Sequence, residues 1–185
     1  MSNSATDEET EMAVIRDLET DENGWFTTGK FDSEAFLPGE TEVMIFTDDG
    51  AGMEDAERCI GHYNALRGKP EIFDEIETRL GKFFLYMYDE WAAMGIFDNI
   101  VESLKPVMKA YEEGAKLSSF LSRPTMLVYP QQNGDVGYGI QTECPWEPEH
   151  QCLILFRNDE VVYTGASEMQ DPWTDEKYLH CVWDD

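Results

Sequence analysis

Between Pro70 and Gly95 apolar side chains return every three or four residues: Ile72, Phe73, Ile76, Leu80, Phe83, Phe84, Met87, Trp91 and Met94. At 3.6 residues per turn these positions form one long stripe, and a helix with such a stripe has to bury it. Pro70 suits the first turn, and Gly95 suits the stop. A core helix of this length therefore organises whatever surrounds it. Ala56, Cys59, Ile60, Tyr63 and Leu66 share one helical face upstream. Ile100, Val101, Leu104, Val107, Met108 and Tyr111 share one downstream, where Pro106 is expected to kink or divide the helix. Leu117, Phe120 and Leu121 predict one more helical turn before Arg123-Pro124.

On both sides of this helical middle the pattern changes to short β-like runs. Asp21-Glu22-Asn23-Gly24 is a turn signal ahead of a strand at Trp25–Thr28, and Glu42–Thr47 alternates as a second strand. The last third predicts strands at Thr125–Tyr129, Val136–Cys144, Gln151–Phe156 and Glu160–Thr164. Arg157-Asn158-Asp159 joins the last two as a hairpin. Gly137 and Gly139 predict a bulge or a close approach. The expected fold is α+β, an antiparallel sheet packed against two or three helices. One domain is expected over residues 21–165. An acidic segment, 1–20, precedes it and is expected to be mobile. An acidic tail, 166–185, follows it, and Trp173, Tyr178 and Trp183 predict that this tail docks, since solvated tails rarely carry Trp.

Charge narrows the function. The chain has 39 Asp and Glu against 13 Lys and Arg, a formal net charge of −26. Phosphate contacts need clustered Lys and Arg, so direct nucleic-acid binding is excluded, and an anionic lipid surface is disfavoured for the same reason. No apolar run reaches the roughly 20 residues of a membrane span. The first residues carry no export signal, so a cytoplasmic location is expected, with Cys59, Cys144, Cys152 and Cys181 as reduced packing thiols. The acidic excess, concentrated toward both ends of the chain, fits a solvated surface, a basic protein partner, or a DNA mimic.

Cys144-Pro145-Trp146-Glu147-Pro148-Glu149-His150-Gln151-Cys152 is the densest group of reactive side chains. Cys144, His150 and Cys152, completed by His180 or Cys181, would supply four zinc ligands, but the spacing matches no common finger or ribbon. A Cys–His nucleophile needs a depressed thiol pKa, and Glu143, Glu147 and Glu149 act in the opposite direction. Asp48-Asp49-Gly50 lacks the rest of a calcium loop and is read as turn chemistry. No phosphate-binding loop, nucleophile elbow or metalloprotease helix is present. The expectation is no catalytic residue, no metal and no cofactor.

The segment from Glu143 to His150, with Leu153–Phe156 and Val161–Gly165 behind it, resembles a family of small bacterial domains of unknown function. That family carries a Trp-(Asp/Glu)-x-Glu-His-Gly segment followed by two closing strands. The resemblance covers residues 24–165. It marks Trp146, Glu147, Glu149 and His150 as a partner-binding or structural signature. Gln151 stands where the family has Gly, which implies a different backbone conformation there. The favoured role is a structural corner, with Trp146 buried and the Glu149 and His150 side chains satisfying turn backbone groups. Members of such families resemble immunity proteins beside bacterial toxin loci. The expected function is therefore a non-enzymatic acidic inhibitor of a basic partner, such as a toxin or nuclease. The alternatives are a DNA mimic, and a metal-dependent or thiol enzyme centred on Cys144, His150 and Cys152.

Overall fold

Seven strands lie side by side in chain order in the computed structural model, which describes residues 14–95 and 98–183. They are β1 (Arg16–Thr20), β2 (Thr27–Ser33), β3 (Gly39–Ile45), β4 (Ser122–Val128), β5 (Gly137–Glu143), β6 (Cys152–Arg157) and β7 (Glu160–Ala166). Every neighbouring pair is antiparallel except β3 and β4, which are parallel, with Val43 opposite Met126. Parallel neighbours need a long crossover. Here it carries α1 (Met53–Ala65), α2 (Pro70–Met94), α3 (Asp98–Glu112) and a 3-10 turn at Leu117–Phe120. The α+β class holds, but the sheet is larger than the sequence suggested, and one of its pairings is not antiparallel.

The two-residue period of the strands separates two layers. Val43, Ile45, Met126, Tyr138, Ile154 and Phe156 face the helices and share one buried cluster with Ile60, Tyr63, Leu80 and Phe83. Leu127, Leu153, Leu155 and Tyr163 point the other way. The C-terminal stretch covers them with Leu179 and Cys181, through a short helix α4 (Glu176–Leu179) whose N-cap Asp175 accepts a bond from the Lys177 N–H at 3.1 Å. Two glycines make room for this stretch. A Cβ on Gly137 would lie 2.6 Å from Trp173, and one on Gly165 would lie 2.5 Å from Trp183. Trp173 Nε1 donates to the Pro130 carbonyl at 2.9 Å, and Trp183 Nε1 to the Thr164 carbonyl at 3.2 Å.

Two local expectations are corrected. Pro106 does not divide α3, because it sits on the exposed side of the helix, where water can satisfy the carbonyl left without a partner. The sheet also starts inside the stretch expected to be mobile. β1 pairs with β2 at Arg16–Lys30, and Ile15 is buried, whereas residues 1–13 lie outside the described residues. Among the described residues, no helix is long and apolar enough to cross a membrane.

Candidate functional site: the Trp146 corner and its cleft

The link between β5 and β6 folds back onto α2 rather than looping into solvent. Trp146 is fully buried, with its ring edge-on to Phe83 and Phe84 at 6.5 and 5.3 Å between centroids. Its carbonyl accepts the Trp91 indole N–H at 2.9 Å. The stripe of α2 thus determines where the corner sits. The Trp146 indole N–H itself is buried without an acceptor.

Glu147 follows it into the protein and is only 5% exposed. Its Oε1 accepts from the backbone N–H groups of Glu149 at 3.3 Å and His150 at 3.1 Å, and lies 3.2 Å from His150 Nδ1. The carboxylate that ties the turn is therefore that of Glu147. The Glu149 and His150 side chains, assigned that task from the sequence, stand at the exposed surface, and only the His150 ring touches the network. Gln151 closes the corner at φ +66°, the left-handed conformation that Gly adopts without strain.

Beside the corner lies a cleft of about 340 Å³. Phe120, Pro145 and Pro148 form apolar walls, and Glu143, Glu147 and Gln151 supply polar groups. Glu143 reaches outward as well. It pairs with the exposed Arg123 guanidinium at 3.1 Å and lies 3.3 Å from Ser122 Oγ. No Lys, Arg or His lines this cleft. A larger cleft of about 440 Å³ runs along β7 between α2 and α4. Its wall carries both signs, including Arg79, which pairs with Glu75 at 3.0 Å.

A family model described as a domain of unknown function, DUF6985, matches residues 14–171. The chain belongs to the DUF6985 family. No curated protein and no solved structure matches it. The span matched to DUF6985 takes in all seven strands, the three long helices and the Trp146 corner, and α4 lies beyond it.

Within this DUF6985 domain Cys144 and Cys152 meet, but the sheet keeps Cys181 away from them. Cys152 belongs to the helix-side cluster and Cys181 to the opposite layer. The His150 ring meets Glu147, not a thiol. Among the described residues, no three His, Cys, Asp or Glu converge to hold a metal ion. Contact with the Cys144 thiol, reinforced by burial, holds the Cys152 thiol well above its ordinary range. A protonated, buried thiol is a poor nucleophile.

One polar chain escaped the sequence reading. His62 lies 3.0 Å from the Tyr138 hydroxyl through Nδ1 and 3.1 Å from Asp159 through Nε2. Lys69 completes the chain as an ion pair with Asp159. Burial depresses the His62 pKa in spite of Asp159, and burial raises that of Tyr138. With neutral His62 donating from Nε2, Nδ1 accepts the phenol proton. The chain ties α1 to β5 and to the β6–β7 turn. Nothing in local spacing announces it, because residues 62, 138 and 159 meet only in the tertiary structure.

Proposed function

We propose that this protein is a non-enzymatic, immunity-like binding module whose acidic surface engages and covers a basic protein partner such as a toxin or nuclease. One observation supports this reading above the others: most of the few cations are engaged by carboxylates within the molecule. Arg16 pairs with Asp32 at 2.7 Å, Lys30 with Glu40 at 3.0 Å and Arg123 with Glu143 at 3.1 Å. Arg67 pairs with Glu34, Lys105 with Glu102, and Lys69 with Asp159. Pairing every Lys and Arg one for one would still leave a formal excess of −26. A field of that sign accelerates encounter with a cationic surface and disfavours nucleic acid and anionic lipid.

The test is capture of partners from the native host by the tagged full chain, followed by titration of the purified pair at low and high salt. The expected partner is basic, and its association rate falls steeply as salt rises, because steering acts over a Debye length of about 8–10 Å at 0.1–0.15 M. A partner that is acidic, or one whose association ignores salt, would refute the reading.

A further inference from the structure

We infer that the cleft beside the Trp146 corner is a socket for one cationic side chain, an Arg or Lys projecting from the partner protein. This inference rests on the binding reading above and names its anchoring point. The decisive group is Glu147. Its side chain is 6% exposed, and an ionised carboxylate so placed needs its acceptor sites filled. Oε1 is engaged by the turn, whereas Oε2 makes no hydrogen bond among the described residues and is not among their fully buried polar atoms, so it stays open to an incoming donor. Glu147 lines the cleft, so Oε2 is the acceptor it offers there.

The other walls specify what approaches it. Phe120, Pro145 and Pro148 suit the aliphatic stem of a long side chain, which packs along apolar surface while its charged end seeks an acceptor. Glu143 stands on the same cleft, but its charge is already paired with Arg123 at 3.1 Å, so Glu147 is the carboxylate left to meet a cation. A hard metal ion wants six or more oxygens, and these apolar walls do not supply them. About 340 Å³ is at the small end of ligand sites, which run from roughly 300 to 1,000 Å³, and suits a side chain rather than a folded segment. The corner is held in advance by Trp146 on α2 and by the Glu147 bonds, so little ordering is required on binding.

The test is a titration of the isotopically labelled full chain with Nα-acetyl-arginine amide, followed by amide NMR. Its neutral isostere, Nα-acetyl-citrulline amide, is the control. The expected result is saturable shifts confined to residues 143–151 and Phe120, absent with citrulline. In Glu147→Gln the affinity should fall at least tenfold while the remaining spectrum is unchanged, because a Gln Oε1 still accepts the turn N–H groups. Equal binding of citrulline, shifts scattered over the whole acidic surface, or undiminished affinity in a folded Glu147→Gln would overturn the socket. The citrulline comparison needs no variant, so it decides the question even if Glu147→Gln fails to fold. A chain that binds a basic protein in the capture experiment yet ignores the arginine amide loses the socket and keeps the acidic-surface reading.

Discussion

Gln151→Gly should stabilise this protein, although it removes a whole side chain. Gln151 occupies φ +66°, where an L-residue with a Cβ is strained by roughly 1–2 kcal/mol. Glycine relieves that strain but gives back roughly 0.5–1 kcal/mol through its larger freedom in the unfolded chain. The main-chain bonds at this position survive the exchange. The Gln151 N–H donates to the Glu147 carbonyl at 3.2 Å, and the Gln151 carbonyl accepts from Ser167 N–H at 3.3 Å. The net expectation is a gain of about 0.5–1 kcal/mol, or a Tm rise of roughly 1–4 °C for a chain of this size. Gln151→Ala is the control, because it removes the same side-chain contacts and keeps the strained Cβ. The assay is urea unfolding followed by tryptophan fluorescence, with midpoint and slope fitted separately. Gly should exceed Ala by about 1 kcal/mol at an unchanged slope. A Gly variant no more stable than the Ala variant would show that the left-handed conformation carries no cost here and would refute the reasoning.

Other consequences follow from the same geometry. Glu147→Ala leaves the Glu149 and His150 N–H groups without their acceptor and should lose about 2–3 kcal/mol in the same urea assay, whereas Glu147→Gln should stay within about 1 kcal/mol of the native chain. Because burial lowers the His62 pKa below its ordinary 6.5, the unfolded chain takes up the proton more readily than the folded one. The stability this confers is full above pH 6.5 and is lost as the pH falls through 6.5 toward the folded value, and His62→Gln should flatten that part of the pH–stability curve. Gly137→Ala drives a Cβ to 2.6 Å from Trp173 and 2.8 Å from Pro172, so limited proteolysis should cut residues 171–183 sooner, at a cost of roughly 1–3 kcal/mol.

The elements most legible in advance were those with a local signature. The stripe from Ile72 to Met94 is a periodic pattern that only a helix can bury on one side, and α2 spans Pro70–Met94. The Arg157-Asn158-Asp159 turn marked the β6–β7 hairpin, and Asn158 adopts φ +53°. The candidate site was legible as a place but not as a mechanism. The string Trp146-Glu147-Pro148-Glu149-His150 located the corner, yet three acidic or imidazole side chains within four residues look equivalent in one dimension. Burial distinguishes them: Glu147 turns inward beneath the corner, and Glu149 and His150 turn outward.

Composition and local periodicity by themselves determined the α+β class, the long core helix and the acidic character, since each depends only on residue type and near-neighbour spacing. The tertiary structure alone decided that β3 runs parallel to β4, that residues 171–183 cover the second face of the sheet, and that His62 joins Tyr138 to Asp159. Those features are contacts between distant parts of the chain. Their free energy comes from closing long loops against buried area and paired polar groups, and that balance is reached only when the whole sheet and its helices assemble together.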